Sequence, residues 1–337
     1  MKIIIPMAGQ GKRMRPHTLT TPKPLLPIAG KPIVQRLVED IAALCNDPID
    51  EIAFIIGDFG KEVETQLHQI AEQIGARARI CFQEEALGTA HAVLCAQESL
   101  DGEVIVAFAD TLFNAQFNLD KSKDGTIWVN SVQDPSAFGV VTLNEQGVIN
   151  AFVEKPETFV SDLAIIGIYY FKDGKNLRKE LEYLIQNNIK EKGEYQLTNA
   201  LENMKSKGLS FVPGKVEEWL DCGNKNATVF TNQRVLINRA TEFSKTLPKN
   251  ANNVTLIEPC YIAEGVELQD CKIGPYVSIG NGCKISNCTL SNTIIQNHCI
   301  IKDTHISDSM IGNHVIIEGK GRELPDLSLG DYSTIGL

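Results

Sequence analysis

Over the first 245 residues, solid apolar runs alternate with segments whose apolar positions recur at helical spacing. The runs Lys2–Ile5, Ile52–Ile56, Val104–Phe108 and Ile165–Phe171 predict strands buried on both faces. The segments Ile33–Leu44, Lys61–Ile74, Ala90–Ser99 and Lys175–Asn187 predict helices. This alternation predicts an α/β, Rossmann-like, mostly parallel sheet with helices on both faces. Ligands of such sheets lie beyond the carboxyl ends of the strands.

After the polar stretch Thr246–Asn253 the pattern changes. Aliphatic residues recur every five or six positions, from Ile262, Leu268 and Ile273 through Ile306, Ile311 and Ile317. Gly, Asn, Asp, Ser and Cys fill the intervals, as in IGPYVSIGNGCKIS. A period near six fits short strands joined by turns and stacked into a prism, because one rung is too small to bury a face alone. It resembles a hexapeptide-repeat, left-handed parallel β-helix. The expected division is a first domain over 1–245 and the prism over 246–337, with three to four turns. The segment Ser328–Gly336 either rejoins the prism or caps it.

A chain of 337 residues has room for two cores. Its start lacks a signal-peptide pattern, and no apolar run approaches a membrane span, so no membrane partner is expected. Nine cysteines without paired CxxC spacing predict reduced thiols in a cytoplasmic protein, in preference to disulfides or a zinc site. A net charge of −10 argues against nucleic acid as a partner. The first 38 residues depart from that balance, carrying Lys2, Lys12, Arg13, Arg15, Lys23, Lys31 and Arg36 with no Asp or Glu. Such a segment in an acidic chain predicts a site for a small anion; the plainer alternative is a solvated basic surface.

MAGQGKR follows a predicted strand, where a phosphate-binding turn belongs: glycines let backbone N–H groups approach and basic side chains neutralise charge. It is not a P-loop, because Arg13 stands where Ser or Thr is required after Gly-Lys. It is not a dinucleotide fingerprint either, because Met14 occupies the third glycine position.

GQGKRMRP, followed by Lys23 in TPKPLLPI, resembles the signature of the sugar-1-phosphate nucleotidyltransferases. The resemblance continues through QEEALGTAHA (Gln83–Ala92), VAFAD (Val106–Asp110), FGVV (Phe138–Val141), VEKP (Val153–Pro156), GIYYF (Gly167–Phe171), GEYQLTN (Gly193–Asn199) and WLDCG (Trp219–Gly223). A β-helix after the catalytic domain also matches several members of the family.

The resemblance implies that a sugar 1-phosphate oxygen attacks the α-phosphorus of a nucleoside triphosphate and pyrophosphate leaves. The attacking group is already an anion, so catalysis reduces to positioning and electrostatics. By resemblance Arg13 grips the triphosphate and Lys23 neutralises phosphate at the reacting centre. Lys12 and Arg15 either touch the β and γ phosphates or face water. Asp110 and Asp221 are the implied Mg²⁺ ligands; Ala109 departs from the glycine common before the first Asp. Ala8, Gly9 and Gly11 would lie against the nucleotide, Gln83 would bond the base, and Gly88 would let the chain pass beside it. Thr89 either caps the helix that follows or touches ligand. Gly139, Glu154 and Lys155 would hold the sugar and its phosphate.

Gln83 followed by LGTAHA is closest to uridylyl- and thymidylyltransferase forms, and Ile165, apolar where N-acetylglucosamine enzymes carry Asn, favours glucose 1-phosphate. The alternatives are a guanylyl- or adenylyltransferase, a bifunctional enzyme acetylating an amino sugar on the prism, and a regulatory subunit without turnover. His298, His305 and His314 in the repeats predict turn or surface residues better than an acetyltransfer base. Pairing of prism faces predicts a homo-oligomer.

Overall fold

The computed structural model describes residues 1–45, 47–115, 121–243 and 247–336. Its contacts divide the chain into two compact units, Met1–Gly9 with Leu37–Trp219, and Gln10–Arg36 with Leu220–Leu337. The division expected at residues 245 and 246 falls outside the described residues.

The first unit is built on a 9-stranded mixed sheet. Lys2–Pro6 lies parallel to Glu51–Ile56 and to Val104–Ala107, and Glu51–Ile56 lies parallel to Arg77–Phe82. Alternate residues of Lys2–Pro6, Glu51–Ile56 and Val104–Ala107 face opposite sides and both sets are buried: Ile4, Ala53, Ile55, Val104 and Val106 share one core cluster, and Ile3, Ile5, Ile52 and Phe54 are also fully buried. That is why the sequence reads as unbroken aliphatic runs. The helix Gly174–Gln186 starts where the Asp173 side chain accepts from the Lys175 N–H at 2.9 Å, and buries Leu177, Leu181 and Leu184.

Beyond Val104–Ala107 antiparallel strands join the sheet and make it mixed. Leu163–Phe171 is antiparallel to Val104–Ala107 and to Gly125–Ser131, and Gly139–Leu143 pairs antiparallel with Ile149–Glu154. No helix stands between Gly125–Ser131 and Leu163–Phe171, so no helical texture announces these strands. The helix expected over Ala90–Ser99 stops at Leu94 and is followed by a 3₁₀ turn at Gln97–Ser99.

In the second unit the repeats form a parallel β-helix with a 6-stranded and a 5-stranded parallel sheet. Residues stack in register one coil apart, giving the columns Leu268–Ile285–Ile301–Ile317–Ile335, Ile273–Leu290–Ile306–Leu324 and Ile262–Ile279–Ile295–Ile311–Leu329. Three columns account for the period near six: one coil is three short repeats. The coils run from the strand Asn250–Leu256 to Thr334–Gly336, more than the three to four turns expected, because the polar start and the segment Ser328–Gly336 both join the sheets. Asn253, Asp270, Asn287 and Asp303 sit at left-handed corners. Their side chains bond up the prism, Asn253 to Asp270 at 2.6 Å and Asn287 to Asp303 at 2.7 Å.

His298 and His314 occupy such corners, stacked 5.1 Å apart, with His314 4.9 Å from Tyr332; His305 lies exposed on a strand. All nine cysteines are free thiols. Among the described residues no helix is long and apolar enough to cross a membrane.

Candidate active site

In the first unit, the carboxyl ends of the parallel strands carry several of the expected residues. Ala8 and Gly9 follow Lys2–Pro6, Gln83 follows Arg77–Phe82, and Asp110 follows Val104–Ala107. The turn at Met7 is fixed by its N–H bond to the Ile55 carbonyl at 2.8 Å, and Gln83 by its N–H bond to Ile56 at 2.9 Å. A Cβ added at Gly9 would meet nothing within 4 Å, so packing gives no reason for glycine there. Gly88 is the opposite case. With φ +119 and Tyr195 backbone atoms 2.5 and 2.7 Å from where a Cβ would stand, no larger residue fits.

Thr89 does not cap its own helix, whose first turn has no side-chain cap. Its hydroxyl instead accepts from the Leu197 N–H at 2.9 Å and donates to Gln196 at 3.2 Å, so it caps the helix Leu197–Ser206. The Gln83 amide nitrogen lies 3.3 Å from Nδ1 of His91, a partner the sequence pattern did not single out.

Gly139, Glu154 and Lys155 come together. Gly139 and Glu154 are paired across neighbouring strands, and a Cβ at Gly139 would stand 3.1 Å from Glu154 Oε2 and 3.4 Å from Ile165 Cδ1. The Glu154 carboxylate accepts from the Thr198 hydroxyl at 2.9 Å and lies 3.4 Å from Lys155 Nζ, and the two side chains are 10% and 44% exposed. Thr198, inside QLTN, is a neighbour that sequence reasoning missed. Lys155 holds φ +41, a left-handed conformation costly for a lysine, fixed by its N–H bond to Phe138 at 3.0 Å and by Lys192 bonding its carbonyl at 2.6 Å.

In the second unit the basic loop closes on itself. Gly11 has φ +58, its carbonyl accepts from the Thr18 hydroxyl at 2.9 Å, and a Cβ on it would press to 3.0 Å of Lys23 Cβ. Only glycine lets the Lys23 stem pack there. Lys23 is 9% exposed, whereas Lys12, Arg13 and Arg15 are exposed around the turn Lys12–Met14. The basic count does not all serve an anion. Arg36 is buried and donates to the carbonyls of Ile28 at 2.6 Å and Ala29 at 2.7 Å, bracing the loop from within. In the first unit, Lys2 is paired with Asp101.

The same loop is docked on the prism. His17 Nε2 lies 3.1 Å from the Ser328 hydroxyl, Thr20 donates to Asp331 at 2.8 Å, and a Cβ at Gly330 would come 2.9 Å from Pro16. Gly30 fits only because it has no Cβ, which would strike the Tyr261 ring at 2.1 Å. Burial pushes the His17 imidazole down to about 4, with Asp331 opposing the shift and Lys225 adding to it.

Asp221 ends a short strand and its carboxylate accepts from the Gly223 N–H at 2.9 Å. A Cβ at Gly223 would sit 2.8 Å from that carboxylate, so a larger residue there would displace it. Asp110, half-buried at a strand end, supplies the same hard oxygen chemistry. Each of these carboxylates, taken by itself, offers the hard oxygen donors that magnesium takes, and in that it fits the implied ion.

Polar residues and an open glycine at the carboxyl edge of an α/β sheet stand where ligands of such folds bind. The chain belongs to the nucleotidyl transferase family, whose model matches residues 2–237, and is an enzyme of that class. It is 28% identical over 318 residues to a glucose-1-phosphate thymidylyltransferase of Streptomyces antibioticus, covering 88% of this chain and 87% of that one. It is 27% identical to the low-salt glycan biosynthesis nucleotidyltransferase Agl11 of Haloferax volcanii, again over 88% and 87%. It is 35% identical over 206 residues to the bifunctional protein GlmU of Methanocaldococcus jannaschii, covering 60% of this chain but 47% of that protein. A solved structure from Bacillus anthracis given as a glucose-1-phosphate thymidylyltransferase shares the fold at 22% identity, with a TM-score of 0.57 over 68% of this chain and 93% of that one.

Proposed function

We propose that this protein transfers a nucleotidyl group from a pyrimidine nucleoside triphosphate, dTTP or UTP, to glucose 1-phosphate, releasing pyrophosphate. The observation that carries the sugar half is the cluster of Gly139, Glu154 and Lys155 beside Ile165. Glu154 offers a carboxylate to sugar hydroxyls, Lys155 a cation to the phosphate, and Gly139 its backbone. Ile165 adds an apolar wall without a partner for an acetamido group.

Ala8, Gly9 and Gly11 lie against the nucleotide, Gly88 and Thr89 shape the base-side wall, and Gln83 bonds the base. Arg13 binds the triphosphate with its planar fork and stabilises the charge that develops on pyrophosphate. Lys23, its Cβ packed close against Gly11, presents its ammonium to the reacting phosphate. Lys12 and Arg15 add to the cationic field. Asp110 and Asp221 would hold Mg²⁺, which when bound draws charge from phosphate oxygens. No general base is needed, since the sugar phosphate oxygen is anionic before it attacks.

The relatives named for two activities are spanned only in part, so acetyl transfer on the prism is not included. A functional division into a catalytic domain over 1–245 and a prism over 246–337 belongs to this reading, as does a homo-oligomer through prism faces, to be checked by sedimentation. Nine free thiols support a cytoplasmic location.

The test is a grid of dTTP, UTP, CTP, GTP and ATP against the 1-phosphates of glucose, N-acetylglucosamine and mannose, with products identified by mass. A dTDP- or UDP-glucose product supports the reading. A purine nucleotide or an N-acetylglucosamine product in greater yield overturns the corresponding half.

A further inference from the structure

Gln83 is an ambiguous reader of a base unless something holds it. A carboxamide has a donor end and an acceptor end, and a half-turn about its last bond exchanges them. Swinging freely, it would accept from the N3–H of uracil or thymine and equally donate to the bare N3 of cytosine. Discrimination between these bases therefore needs a third group that engages one end of the amide.

The structure supplies such a group in His91. Its Nδ1 lies 3.3 Å from Gln83 Nε2. Both residues are rigidly placed. Gln83 is tied by its own N–H to the strand Glu51–Ile56. His91 sits in the helix Thr89–Leu94, which is fastened by the Ala90 N–H to the Tyr195 carbonyl at 2.9 Å and by Thr89 to Gln196 and Leu197. Gly88 seats that helix start against the Tyr195 backbone.

We propose that His91 is a specificity-positioning residue: by accepting from the Gln83 amide nitrogen it leaves Oε1 as the end presented to the base. This inference rests on the reading of Gln83 as the base contact. An acceptor at that point pairs with the N3–H of uracil or thymine. Against cytosine it sets lone pair against lone pair, which desolvates two acceptors without a bond between them. His91 thus touches neither base nor phosphate and acts through Gln83 alone.

The test is the ratio of kcat/KM for UTP to that for CTP, repeated with dTTP, at saturating sugar 1-phosphate. A ratio within one enzyme cancels general losses of folding or phosphate binding. His91→Leu removes the acceptor, and the ratio should fall about tenfold or more, mainly through improved use of CTP. His91→Asp keeps an acceptor-only group and should preserve the preference. In a Gln83→Ala background, His91→Leu should have no further effect on the ratio. If His91→Leu does not fold, His91→Phe makes the same comparison.

A discriminating wild type whose ratio is unchanged in His91→Leu overturns the inference, as does additive behaviour in the double variant. Gln83→Ala reports on the underlying reading separately: if it leaves the ratio where the wild type has it, Gln83 does not read the base and the inference falls with it.

Discussion

Thr20 donates its hydroxyl to Asp331 across 2.8 Å of space and 311 positions of sequence. The loop bearing Arg13 and Lys23 is thereby fastened to the last coil of the β-helix, along with Pro16 against Gly330 and His17 against Ser328. The prism is then part of what holds the cationic loop in shape. Thr20→Val removes this one bond while leaving the bonds of Asp331 to Asn313. It should cost about 1 kcal/mol of stability by denaturant titration and lower kcat several-fold, with KM for the sugar phosphate little changed.

His17 makes the docking pH-dependent. Its folded-state value is lowered to about 4 by burial, below the ordinary 6.5 of the unfolded chain. Between these values the unfolded chain binds a proton that the folded one does not. The contribution of His17 is therefore complete above pH 6.5 and is lost as pH falls toward 4, by up to about 3 kcal/mol. Thermal melts across this window should show a steeper decline for the wild type than for His17→Gln. Parallel curves would contradict the burial argument.

Two glycines should behave oppositely. Gly88→Ala forces a Cβ into the Tyr195 backbone at a positive φ and should cost about 2 kcal/mol or more. Gly9→Ala places its methyl in open space, so melting should be unchanged. If Gly9 lies against the nucleotide, the same variant should raise KM for the triphosphate about tenfold or more. An unaffected KM would remove Gly9 from the site.

Ile165 tests the choice of sugar. Ile165→Asn places a polar group on a buried strand position, at a cost of about 1–3 kcal/mol. It should shift the ratio of kcat/KM for glucose 1-phosphate over N-acetylglucosamine 1-phosphate toward the latter by about tenfold. A ratio that stays fixed would mean that Ile165 does not border the sugar.

Local patterns were legible where the physics is local. The helix Ile33–Leu44 has its expected bounds, and the aliphatic runs became doubly buried strands within a residue or two at each end. The six-residue period resolved into three columns of one prism. What the sequence hid is non-local. Nothing near Leu163 states that its strand will run antiparallel to Val104–Ala107, and nothing near Thr89 states that its hydroxyl will cap a helix beginning at Leu197. The loop motif marked Arg13 and Lys23, but counting charge could not separate them from Arg36, whose guanidinium is engaged by backbone carbonyls. Thr198 and His91 lay inside quoted motifs, yet their importance emerges only from the side chains they meet, Glu154 and Gln83.

The most direct test of nucleotidyl transfer is pyrophosphate release from dTTP or UTP with Mg²⁺, with and without glucose 1-phosphate, by the wild type and by Lys23→Ala. The account predicts release that requires the sugar phosphate, equals the nucleoside-diphosphate sugar formed, and falls by about a hundredfold or more in Lys23→Ala. Release without the sugar phosphate, or a Lys23→Ala rate equal to that of the wild type, would contradict it.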